Sequence, residues 1–100
     1  MYPNLMYKDI EKRNKFFRDR YAANIEIVHK YKTDRGCADC GWNEHHAGLE
    51  FDHLLPRKRD TVANLMGRSI KIIMEEIERC EVVCSRCHSI RTWNRKQEKL

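Results

Sequence analysis

Two Cys-x-x-Cys pairs, Cys37/Cys40 and Cys84/Cys87, carry the first chemistry legible in this chain. One such pair alone could be a redox dithiol. Two of them, with 43 residues between Cys40 and Cys84, form the ligand set of a closed tetrahedral zinc site. Gly41 directly follows Cys40; a glycine there lets the backbone turn tightly under the metal, so that amides point at the thiolates. Four thiolates leave no open coordination position, so this zinc holds structure and does no Lewis-acid chemistry. Two other features exceed what zinc folding needs. One is Asp52-His53, inside the stretch Leu49-Glu50-Phe51-Asp52-His53-Leu54-Leu55-Pro56, and the other is His88, immediately behind Cys87.

The elements that must position these residues follow from periodicity. Ile10, Phe17, Tyr21, Ile25 and Val28 predict a long basic helix over residues 8–32, with no Gly or Pro before Gly36 to stop it. Its apolar stripe is expected to pack, while its Lys and Arg faces suit either a DNA backbone or plain solvent. The loop Asn43–Gly48 holds His45 and His46, which read as surface residues. Leu49–Phe51 gives a short strand signal ended by Pro56, which places Asp52 and His53 at a hairpin turn or just past a strand end. Neighbours on an extended segment point opposite ways, so the two should not bind one metal symmetrically. Arg57-Lys58-Arg59 next to them suits a phosphate clamp or a solvated loop. Residues 60–68 look irregular. A second helix is expected over 69–80, with Ser69 as N-cap, and Ile70, Ile73, Met74 and Ile77 facing inward. Glu75, Glu76, Glu78 and Arg79 should then face water, and no chemistry is assigned to them. Cys80 should lie at the helix's buried edge as a small hydrophobe. A third helix over 85–97 would bring His88, Arg91, Thr92 and Arg95 onto one face near its N-terminus, with Trp93 turned to the core.

A chain of 100 residues makes one domain with little core, so a metal staple is expected. It divides into a basic N-terminal helix, 1–36, and a zinc-stapled core, 37–100. The net charge of +5 is uneven: residues 1–35 carry nine Lys/Arg against five Asp/Glu, and 85–100 carry five against one, whereas 36–84 carry six against nine. Basic ends around an acidic centre suit phosphate-binding flanks around a metal site, and also suit simple solubility. No apolar run reaches the roughly 18 residues of a membrane span. The stretch Met1–Lys8 lacks the apolar core of a signal peptide. A reducing cytoplasm is therefore expected, where the five cysteines favour metal over disulfides.

Taken together, Cys-x-x-Cys-Gly, then Leu-Glu-Phe-Asp-His, then Cys-x-x-Cys-His and Arg91-Thr92 resemble the HNH endonuclease family, particularly its small zinc-containing bacteriophage members. The resemblance covers residues 37–92. It implies an α+β chain with a ββα-metal fold, in which two strands and a helix pinch a divalent ion. It implies that His53 is the general base, that Asp52 and His88 hold a catalytic divalent cation, and that Cys37, Cys40, Cys84 and Cys87 hold a structural zinc. One carboxylate oxygen and one imidazole nitrogen suit Mg²⁺, Mn²⁺ or a softer transition metal. An imidazole with a pKa near ~6.5 can take a proton from water at neutral pH. Arg91 is the candidate for stabilising the scissile phosphate. The implied partner is DNA, with terminase or other packaging proteins of a phage alongside, in the host cytoplasm, as monomer or homodimer. The sequence departs from the family at one point. Many members carry an Asn a few residues before the third Cys; here the stretch is Glu78-Arg79-Cys80-Glu81, and Asn64 is the sole Asn between His53 and His88. A backbone carbonyl could orient His53 instead. The alternative reading is a non-catalytic, zinc-stabilised module that binds DNA through its basic ends.

Overall fold

Nothing breaks the helical pattern before Gly36, and the chain forms a single 32-residue helix, α1 (Asn4–Arg35). It is longer at both ends than the expected 8–32. The backbone reverses at Gly36, whose φ is 70°, and the Gly36 N–H donates to the Lys32 carbonyl at 2.8 Å. Lys32 and Arg35 lie in the last turn, where cations suit the helix dipole. The computed structural model describes residues 4–99; Met1–Pro3, at the head of the stretch read against a signal peptide, and Leu100 lie outside the described residues.

At about 1.5 Å per residue, α1 is about 48 Å long, in a molecule whose longest dimension is 61 Å. Among the described residues, its C-terminal half alone sits on the core. Arg20 donates to the Gly67 carbonyl, and buried Asn24 donates to the carbonyls of Met66 and Arg68. Val28 is buried, with Ile25 and Tyr31 packed beside it. Ile10, Phe16, Phe17 and Tyr21 are exposed. The expected apolar stripe therefore packs only from Ile25 onward, because the rest of the chain ends its reach near Gly67.

After a 3-10 turn at His46–Gly48 comes strand β1 (Leu49–His53). A second 3-10 turn at Ala63–Leu65 leads to helix α2 (Ile70–Ile77), strand β2 (Cys80–Cys84) and helix α3 (Ser85–Glu98). The strands pair antiparallel, from Leu49 opposite Cys84 to His53 opposite Cys80. The long insert between them is pinched at its neck, where the N–H groups of Leu54 and Leu55 donate to the Arg79 carbonyl. Ser69 caps α2 as expected, its Oγ accepting from the Ile72 N–H. The helix stops short of the expected residue 80, because residues 80–84 leave it to pair with β1. Cys80 accordingly lies in a strand, half-buried, its thiol pushed up to about 11 by burial. Ile70, expected inside, is exposed at the start of α2.

Two apolar clusters share the molecule. Val28, Val62, Leu65, Met66, Ile73 and Ile77 join α1, the insert and α2. Cys37, Leu49, Val82, Val83, Cys84 and Cys87 join the sheet to the knuckles. Tyr31 and Phe51 pack against both. Trp93, expected in the core, is 63% exposed on the outer face of α3. No helix among the described residues is long and apolar enough to cross a membrane.

Candidate metal centre and strand-end site

The two knuckles close on each other. The Sγ atoms of Cys37, Cys40, Cys84 and Cys87 all lie within 4.8 Å of one another. Cys40 and Cys84 sulfurs are 3.8 Å apart, which is the edge of a tetrahedron with Zn–S bonds of about 2.3 Å. Local geometry explains the first knuckle. Gly41 has φ 81°, its N–H donates to the Cys37 carbonyl, the Cys37 N–H donates to Trp42, and Ala38 N–H donates to Val82 on β2. The second knuckle is the start of α3: Cys84 is the N-cap, its sulfur accepting from the Cys87 N–H. Burial raises the Cys37 thiol, but the amides of Cys84, Cys40 and Asp39 outweigh it and bring it down to about 6. Its neighbour Cys84, with burial, pushes Cys87 up to about 12. An amide donor on a knuckle sulfur, as from the Cys87 N–H to Cys84 Sγ, suits a thiolate that ligates a metal. Four close cysteines here could hold a metal ion such as zinc. Among the described residues they form the one cluster of three or more His, Cys, Asp or Glu groups close enough to share an ion.

Glu50 and Asp52, two residues apart on β1, share the face that meets α3. The first turn of α3 carries His88 toward them. Its Nδ1 is 2.6 Å from Glu50 Oε1, and its Nε2 is 3.5 Å from Asp52 Oδ1. Ser85 Oγ donates to the other Glu50 oxygen at 3.1 Å. An Nδ1–H given to Glu50 leaves the Nε2 lone pair toward Asp52, the orientation of a metal-ligating histidine with a carboxylate behind it. Asp52, only 3% exposed, also holds two guanidiniums. Arg95 binds it through both nitrogens at 2.8 and 2.7 Å, and Arg91 adds a bond at 2.9 Å. Arg95 first, then Arg91, hold the Asp52 carboxyl down to about 2 against the effect of burial. Arg91 further binds Asp39 through two bonds and Glu81 at 3.0 Å. The residue expected at the scissile phosphate is thus committed to three carboxylates.

His53 points from the opposite face of β1. Its Nε2 is 2.9 Å from Glu76 Oε2 on α2. Glu76, expected to face water, is fully buried. The same Oε2 accepts the Lys58 N–H at 3.1 Å, and Oε1 accepts the Arg59 N–H at 2.9 Å. Burial raises this carboxyl, but the Arg59 amide, His53 and the Lys58 amide together take it below the ordinary range. One signal could have found it: Glu76 stands three residues after Ile73 and one before Ile77, on the inward face. His53 also lines a cleft of about 400 Å³ between α1 and β1, shared with Tyr21, His29, Lys32, Phe51 and Arg57. Of the expected basic clamp, the Lys58 and Arg59 side chains pair with Glu75, whereas Arg57 lines the cleft. Asn64, unplaced by sequence, bonds Asp60 in the insert. His46, read as a surface residue, is half-buried and stacks on His29 with ring centres 3.6 Å apart, while His45 caps its 3-10 turn.

The structure therefore brings the four cysteines together, brings His88 to Asp52, and sets His53 on the other side of the strand. Sequence reasoning missed Glu50 behind His88 and Glu76 behind His53. No protein-family model matches the chain, and neither does any curated protein or solved structure.

Proposed function

We propose that the chain is a metal-dependent DNA endonuclease of the HNH type, with β1, β2 and α3 as its ββα-metal unit. One observation carries the reading: a strand end holds Asp52 and His53 on opposite faces while the first turn of α3 sets His88 Nε2 3.5 Å from Asp52 Oδ1. A zinc-folded binding module needs neither the acid nor the two histidines in that register.

In this reading Asp52 and His88 hold a divalent ion, which supplies charge neutralisation and open coordination positions at the phosphate. Glu50 fixes the His88 ring so that Nε2 is the ligating atom. His53 takes the proton of the attacking water from the cleft side of the strand. Arg95 and Arg91 balance the Asp52 charge, and Arg95, 45% exposed at its side chain, would reach a phosphate by releasing its two bonds to Asp52. Arg57 and Lys32 give the cleft its positive lining, and the basic surface of α1 adds salt-dependent attraction to DNA. The cysteines hold the frame through zinc, and their number suits a reducing cytoplasm.

The test is a supercoiled-plasmid assay with EDTA, Mg²⁺, Mn²⁺, Ni²⁺ and Zn²⁺, with His53→Ala alongside. Metal-dependent conversion to nicked or linear DNA is expected, lost in the variant at unchanged zinc content and circular dichroism. Intact plasmid in every lane, with salt-dependent DNA binding retained, would instead identify a non-catalytic zinc module.

A further inference from the structure

Among the described residues Glu76 is the one acidic side chain with no exposed surface at all, and the nuclease reading has no use for it. Burying a carboxylate is costly unless every lone pair finds a donor. The donors present are two backbone N–H groups, from Lys58 and Arg59, and the His53 ring. Had the acid served only to close the 57–59 loop, the two amides would complete its work. The third contact, 2.9 Å from His53 Nε2, needs its own account.

We infer that Glu76 is a positioning residue for His53, fixing its ring and its tautomer so that Nδ1 is the unprotonated, proton-accepting atom. An ionised carboxylate only accepts hydrogen bonds, and both Glu76 oxygens already face donors. A ring nitrogen 2.9 Å away must therefore carry the hydrogen. In neutral imidazole that leaves the lone pair on Nδ1. His53 is 16% exposed at its side chain while Glu76 is sealed off, so the carboxylate side is the buried, fixed side and the free nitrogen is the one left for water. Three features hold the acid itself in place. Its helix face carries Ile73 and Ile77 into the core, Arg79 Nε ties the insert to the Pro56 carbonyl at 2.7 Å, and the two loop amides straddle both oxygens. In this chain a carboxylate from α2 thus stands where the motif Asn is absent.

This inference rests on the proposed nuclease for the use made of His53, and on geometry alone for which nitrogen carries the hydrogen. The experiment separates the two. Nitrogen-15 NMR of the zinc-loaded full chain, at a pH where the ring is neutral, is expected to show His53 as the Nε2–H tautomer, and Glu76→Gln is expected to erase that preference. An Nδ1–H tautomer in the unaltered protein overturns the inference, whether or not the protein cuts DNA and whether or not the variant folds. Cleavage then gives the second readout. Glu76→Gln is expected to lower kcat about 10–100-fold with little change in KM, at unchanged zinc content and circular dichroism. An unchanged kcat in the folded Glu76→Gln variant would overturn its positioning role.

Discussion

Asp52 and His53 are neighbours in the chain, yet opposite chemistry holds them. Asp52 meets α3 and is gripped by cations, Arg95 and Arg91. His53 meets α2 and is gripped by an anion, Glu76. A pleated strand makes this cheap, since alternate residues reach alternate faces without any special backbone. The difference shows how two adjacent residues can be tuned separately. Each draws on a different helix, and only α3 is tied to the cysteines, through Cys84 and Cys87.

The largest expected effect tests that asymmetry. Removing zinc should cost about 10 kcal/mol or more of folding free energy, and the Asp52 face should fail first, because His88, Arg91 and Arg95 all ride on α3. Hydrogen exchange after chelation should show α3 losing protection ahead of α2; loss of both at one rate would mean that the two faces form one cooperative unit. Next comes Asp52→Asn, which strands two guanidiniums and should cost about 3 kcal/mol, measured by thermal melts of the zinc-loaded protein. The same residue gives an acid signature. Its folded pKa, about 2, lies below the unfolded value near ~3.9. Its stabilisation is therefore complete above that unfolded value and is lost as pH falls toward about 2. Titrating stability in acid should show this share in the unaltered protein and not in Asp52→Asn.

On the other face, Glu76→Gln should cost about 1–3 kcal/mol, since a buried amide nitrogen would then oppose a backbone N–H. The smallest effect belongs to its neighbour. Glu75 binds Lys58 and Arg59 at the surface, and Glu75→Gln should cost well under 1 kcal/mol in the same melts. Equal losses at the two positions would remove the distinction between a sealed carboxylate and a half-buried one.

Legibility followed how local each signal was. The four-cysteine cluster is legible because its pieces are short: two Cys-x-x-Cys turns and a Gly41 that needs positive φ. The core of α1 was readable from period, but its bounds were not, because nothing short of Gly36 marks an end. Strand β2 was harder. Cys80-Glu81-Val82-Val83-Cys84 offers only two adjacent valines, and its pairing with β1 is fixed by a partner some 30 residues away. That pairing also cut α2 short. Glu76 was misplaced because a charged residue on a short helix reads as solvated, although its spacing from Ile73 and Ile77 pointed inward. Spacing sets Arg91 and Arg95 on one face of α3, but it points Arg91 at a phosphate, and only the fold shows Asp52 beneath both. Phe16 and Phe17 were beyond sequence for a simpler reason: periodicity reports an apolar face without reporting whether anything arrives to cover it.

The joining of Cys37 and Cys40 to Cys84 and Cys87 also bears on how the molecule assembles. Each pair is a complete bidentate claw in its own right, present in the nascent chain before any tertiary contact exists. At limiting zinc, the second claw must find the first across the whole insert, so that a single ion nucleates the sheet. At excess zinc, each claw can load its own ion, and the chain then carries two where the folded state has room for one. Refolding should therefore be fastest near one equivalent of zinc and slow down beyond it, with ejection of the surplus ion as the late step.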